Sequence, residues 1–177
     1  MHSNFSSLVL VFILFFPSTS YAIPVSKVNA ICKQTKNPSF CFTLLNSHPN
    51  ANLVTLTQYT INIARANVTN TIILIKQLIA HSAKDPKGRS HYTSCLEHFG
   101  SEGALGDVEY TQELLKKRDY AGVNTAASAI LTDVDDCISG ESPSDPRYHD
   151  PSKLPQYAAV LGLVVEIILV LSNFLVH

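Results

Sequence analysis

An all-α fold, an antiparallel four-helix bundle preceded by a disulfide-stapled N-terminal helical hairpin, is predicted by this 177-residue sequence. Apolar residues recur at three- and four-residue spacing through several long segments, as buried helix faces require. Asn, Asp and Pro stand where those segments stop and restart. No stretch alternates apolar and polar residues convincingly enough for a strand. With 46% hydrophobic and only 15% charged residues, the chain is too apolar for disorder. Thirteen Lys and Arg against 14 Asp and Glu give a formal charge of -1, which argues against a nucleic-acid partner needing a basic stripe.

The apolar run Leu8 to Phe16, broken by Pro17 and followed by Ser20-Tyr21-Ala22, predicts a secretory signal peptide over residues 1–22. Nine apolar residues are too few to span a bilayer. The mature chain is then one domain over 23–177, with a hairpin at about 25–48 and a bundle at about 51–176. Export makes the four cysteines, Cys32, Cys41, Cys95 and Cys137, candidates for two disulfides. Three pairings are possible, and pairing first with second and third with fourth is the economical one. Loops of that size contribute roughly 3 and about 4 kcal/mol on the chain-entropy model. Zinc is disfavoured because no Cys-x-x-Cys pair exists and no His sits at ligand spacing from one.

Two short helices are expected over Ser26–Lys36 and Ser39–Ser47, divided at Asn37-Pro38. Asn50 or Asn52 can cap a long helix to about Ala83, with Ile61, Ala64, Val68, Ile72 and Ile75 on its buried face. Asp85-Pro86 opens the next, which carries Tyr92, Cys95 and Phe99 and resumes through Val108, Leu114 and Leu115. Gly100, Gly103 and Gly106 interrupt it, and a kink or local break is expected there. Asp119 caps a third long helix through Val134. Gly140 to Pro155 contains four prolines and reads as a loop. The closing helix, about Gln156 to Phe174, lies in a nearly uninterrupted apolar run from Ala158 to Val176 with Glu166 its sole charge. That run has the length of a membrane span. Glu166 near its centre and the absence of a following Lys or Arg favour a helix buried by its neighbours. No membrane association is expected after signal cleavage.

No catalytic constellation is visible: no nucleophile elbow, His-Glu-x-x-His pair or phosphate loop. No cofactor and no metal site are expected. Asp133, Asp135 and Asp136 on one helix cannot converge as an oxygen cage does. Lys116, Lys117 and Arg118 form the densest basic cluster, at a helix end where they complement the dipole. Asn67-Val68-Thr69 is a glycosylation sequon at Asn67. Binding, rather than catalysis, is the predicted activity.

The segment Ile31-Cys32-Lys33-Gln34-Thr35-Lys36-Asn37-Pro38-Ser39-Phe40-Cys41 resembles the opening signature of the plant invertase and pectin methylesterase inhibitor family. Asp85-Pro86 leading to Cys95-Leu96-Glu97-His98-Phe99 is similar to that family's second-helix motif, with Phe99 where Tyr is usual. Asp119-Tyr120, Ala127-Ser128-Ala129 and Cys137 resemble the third-helix pattern, and Glu166 to Leu175 the closing helix. Asp136 stands where the family usually has Thr. The Pro-Lys-Phe motif of several invertase inhibitors is absent; Lys153-Leu154-Pro155 is no substitute.

The resemblance implies a hairpin on a four-helix bundle with first-to-second and third-to-fourth disulfides. It also implies secretion to the apoplast and the cell wall. The protein would be a noncovalent, equimolar inhibitor of pectin methylesterase that blocks the substrate cleft and so modulates de-esterification of cell-wall pectin. Acid invertase as the target, or a non-inhibitory relative of the same fold, are the alternatives. The family's docking surface implies candidate contacts on the second and third bundle helices, and exposure at helical spacing picks Glu109, Gln112, Asn124 and Thr125. Six His in the mature chain make binding that varies over mildly acidic pH an expectation.

Overall fold

The computed structural model describes residues 22–140 and 148–176. The expected signal peptide, apart from Ala22, and Pro143 and Pro146 of the expected loop lie outside the described residues. Seven helices and no strand occur among those described: α1 (Val25–Cys32), α2 (Pro38–Asn46), α3 (Leu53–His81), α4 (Pro86–Phe99), α5 (Ala104–Lys116), α6 (Tyr120–Ser139) and α7 (Leu154–Val176).

Four of these helices begin on an Asx cap. The side chains of Asn37, Asn52, Asp85 and Asp119 accept from the backbone N–H groups of Phe40, Thr55, Gly88 and Gly122 at 3.1, 2.8, 3.0 and 2.9 Å. Each satisfies a donor that the first turn leaves without an intrahelical partner. Asn52, not Asn50, therefore starts α3. Helix α1 is shorter than its pattern suggests. Beyond Cys32 the chain turns, and the Thr35 hydroxyl donates to the Cys32 carbonyl at 2.8 Å, closing the helix end. Helix α7 starts two residues earlier than expected, since Pro155 is tolerated in a first turn and Ser152 Oγ accepts from Leu154 N at 3.0 Å.

The break in the second bundle helix falls at Gly100–Gly103, dividing α4 from α5. Gly103 fits because the chain folds back on α4: a Cβ there would collide with the His98 carbonyl. Gly106, by contrast, lies within α5. Both halves still pack on α3 and α6, so α3, α4–α5, α6 and α7 form the bundle.

Its core includes Ile61, Val68, Phe99, Val123, Ile130, Leu161 and Ile168. A second cluster, around Ile31, Leu45, Leu56 and Leu171, seats the α1–α2 hairpin on the end of the bundle formed by α3 and α7. Cys32–Cys41 closes that hairpin and Cys95–Cys137 joins α4 to α6. Helix α7 is long and apolar enough to cross a membrane, with a mean hydropathy of 2.5 over its most apolar 18 residues. Here it is packed against α3 and α6, with Leu161, Val164, Val165, Ile168 and Leu171 fully buried.

Candidate functional site

Helices α5 and α6 run side by side, and the seam between them leaves a shallow groove of about 320 Å³. Asp107, Tyr110, Leu114, Thr125, Ala126 and Ala129 line it. Small residues on α6 make the depression, and Tyr110 on α5 rises beside it with 53% of its surface exposed. A tyrosine offers a large, stiff apolar face with a polar tip, the kind of side chain that anchors protein interfaces. Glu109 and Thr125 are exposed on the same two helices. The Thr125 hydroxyl donates to the Ala121 carbonyl at 3.3 Å.

Of the four expected contact residues, Thr125 lines this groove, Glu109 is exposed on α5 outside its lining, and the other two face inward. Gln112 is buried, with 8% exposure, because it belongs to the inward stripe of Val108, Thr111 and Leu115 and faces α3. There its amide and that of Gln58 pair reciprocally, each donating to the other's oxygen. Asn124 is half-buried and turned toward α7, where Nδ2 donates to Leu169 O, Ser172 Oγ and Asn173 Oδ1 at 3.1, 2.9 and 3.2 Å. Both residues join helices within the bundle. Tyr110 and Asp107 are among the groove residues outside the four expected contacts. The available signal for the first was an aromatic on the polar face of α5.

The groove continues into an acidic end. Asp133 on α6 has its pKa pushed up to about 6, chiefly by burial and then by the carboxylate of Asp107, with which it shares a hydrogen bond. The nearby His98 pulls the other way. Burial also raises Asp107. One carboxyl oxygen of Asp133, Oδ2, is buried without a hydrogen-bond partner. Asp136, where Thr is usual, adds a smaller repulsion to Asp133.

Two turns earlier along α4 lies a second polar cluster. Asp150 Oδ1 accepts from Tyr92 Oη at 2.7 Å and Ser152 N at 2.8 Å, while Oδ2 lies 3.7 Å from His91 Nε2. Tyr148 stacks on His91 at 4.7 Å between ring centroids and donates to Asp85 Oδ2 at 3.1 Å. Burial lowers the His91 pKa, and the Asp150 carboxylate only partly opposes it. These contacts tie residues 148–152 to α4 beside the Cys95–Cys137 bridge, so the cluster holds structure together. Among the described residues no group of three or more His, Cys, Asp or Glu could hold a metal ion. Asn67 is half-buried within α3, its Nδ2 donating to the Ile63 carbonyl at 3.0 Å.

A family model described as plant invertase/pectin methylesterase inhibitor matches residues 26–158. "Pectinesterase inhibitor 1" of Arabidopsis thaliana is 35% identical over 130 residues, covering 73% of this chain and 72% of the relative. "Pectinesterase inhibitor" of Actinidia deliciosa is 34% identical over 181 aligned positions, covering 98% and 94%. The crystal structure of a mutant form of a pectin methylesterase inhibitor from Arabidopsis superimposes with a TM-score of 0.71 at 30% identity, over 83% of this chain and 95% of that one. The crystal structure of a pectin methylesterase inhibitor from Arabidopsis thaliana gives 0.62, also at 30% identity, over 86% and 98%.

Proposed function

Because the chain belongs to the plant invertase/pectin methylesterase inhibitor family, we propose that it is a secreted inhibitor of pectin methylesterase and not itself an enzyme. The match to a pectinesterase inhibitor along nearly the whole length of both chains carries this reading. The α5–α6 groove supplies a surface for it. Tyr110 would enter the rim of the enzyme's cleft while Glu109 and Thr125 contact its walls, and the rigid bundle behind them would exclude the polymer. Such a block needs no covalent step: a rigid surface loses little conformational freedom on docking, so more of the contact energy appears as affinity.

The complex is equimolar and noncovalent, and the mature protein is residues 23–177, working in the cell-wall space. Glycan transfer at Asn67 occurs before α3 folds, since the folded helix engages the amide with Ile63. Purified mature protein is titrated against a plant pectin methylesterase and an acid invertase at mildly acidic pH. Esterase activity is expected to vanish near a one-to-one ratio while invertase is untouched. Inhibition of invertase alone would transfer the chain to the other branch, and inactivity against both would overturn the proposal.

A further inference from the structure

A second groove, of about 450 Å³, lies between the start of α3 and the turn that joins α5 to α6. Asn52, Thr55, Gln58, Lys116, Arg118 and Tyr120 line it, and no acidic side chain does. Its volume falls in the range of about 300–1,000 Å³ typical of small-ligand sites. Lys116 and Arg118 are exposed, and neither makes an ion pair among the described residues; the neighbouring Lys117 pairs with Glu113 at 3.9 Å. The walls are fixed from behind. Asn52 caps α3, and the reciprocal amide pair of Gln58 and Gln112 fastens α3 to α5.

The turn itself carries an independent signal. Arg118 N–H donates to Leu115 O and Asp119 N–H to Leu114 O, both at 3.0 Å, the two bonds of a Schellman helix ending. That motif puts one residue in the left-handed region, where glycine is the unstrained choice, yet Arg118 occupies it at φ 60°. Among the described residues it alone combines a side chain with positive φ. Strain retained at a surface turn points to a use for the side chain.

We propose that this groove binds a short stretch of a uronic-acid polymer, with carboxylates on Lys116 and Arg118 and one sugar face on Tyr120. The cations match the carboxylates, and the exposed Thr55 hydroxyl can pair with a ring hydroxyl. The choice of ligand rests on the inhibitor reading above. Hydrolysis of pectin methyl esters leaves free carboxylates on the polymer, and such a site would hold the inhibitor where that product accumulates. The groove shares no lining residue with the α5–α6 groove, and the two adjoin at the turn that carries Arg118 and Asp119.

Calorimetry with an unesterified oligogalacturonate and its fully methyl-esterified counterpart tests this. The comparison uses wild type, K116Q/R118G, and K27Q/K33Q as a control that removes two charges elsewhere. Arg118→Gly relieves the backbone, so this variant is expected to melt no lower than wild type yet bind the unesterified oligomer at least tenfold more weakly. The control should stay within about twofold, and the esterified oligomer should bind no variant. No binding by wild type, equal loss in both variants, or equal binding of the ester would each overturn the site. Weaker esterase inhibition by K116Q/R118G without oligomer binding would also overturn it, assigning the groove to an acidic protein surface. Oligomer binding with the expected pattern in a protein that inhibits no esterase would support the groove while overturning the inhibitor reading.

Discussion

Helix α6 takes part in two seams, and they are built differently. Toward α7 it is sealed: the apolar core is continuous, and Asn124 spans the boundary with three hydrogen bonds to Leu169, Ser172 and Asn173. Toward α5 the seam is open on its outer side, where small α6 residues leave a groove and Tyr110 stands half in solvent. One helix thus lends one side to stability and leaves another open, the side proposed above to meet a partner. Affinity at an interface needs an anchor that is unsatisfied in the free protein, and the sealed seam has none to offer.

The largest expected effect comes from breaking the sealed side. Ile168 is fully buried in the bundle core on α7. Ile168→Ala should cost about 2–5 kcal/mol of unfolding free energy, lost contact plus the cavity left behind, as read by urea denaturation. Inhibitory stoichiometry of the fraction that remains folded should not change. A variant that stayed stable but lost inhibition would erase the division of labour between the seams.

A smaller effect, on binding alone, is expected on the open side. Tyr110→Ala removes the exposed anchor with little native packing, so the melting temperature should stay within a degree or so of wild type. The inhibition constant should rise about 30-fold, the equivalent of about 2 kcal/mol for an interface hot spot. Enzyme titration under dissociating concentrations measures it. A fall in stability comparable to that of Ile168→Ala would show that Tyr110 belongs to the core.

How much of this contrast was legible in the sequence depended on the range of the interaction. Caps are local, so Asn37, Asp85 and Asp119 were readable from their neighbours alone. The Gly100–Gly103 break was readable too, because glycines within a helical pattern are a local conflict. At Gln112 and Asn124 polarity misleads, because their positions on α5 and α6 turn them inward. Gln112 sits four residues after Val108 and three before Leu115, on a buried stripe, and its partner Gln58 is 54 residues away. Nothing in the sequence near Gln112 announces a reciprocal amide pair. The same holds for Asp150, whose contacts with Tyr92 and His91 join segments almost 60 residues apart. The Arg118 turn was hidden for another reason: a non-glycine residue at a position whose usual occupant is glycine removes the signal that would mark it.

The last prediction compares two titrating clusters, around Asp133 and around His91, and it concerns slope rather than size. The folded-state pKa of Asp133 is raised to about 6 against an ordinary 3.8. Between those values the folded chain holds a proton that the unfolded chain has released. Its contribution to stability is therefore present at acidic pH and is lost as pH rises through about 6. His91 has the opposite sense. Its pKa lies below the ordinary 6.5, so the unfolded chain takes up a proton first and stability falls as pH drops below that point. Thermal melts from pH 4 to 7 should show Asp133→Asn losing the decline between about pH 4 and 6, because an amide cannot titrate. His91→Gln should lose the decline on the acidic side. The first change bears on the proposed function as well, since Asp107 lines the α5–α6 groove and its partner carboxyl carries the proton. Asp133→Asn should therefore flatten the pH dependence of inhibition, and His91→Gln should leave it in place. If both variants altered inhibition equally, the acidic end of the open seam would have no special claim on the partner.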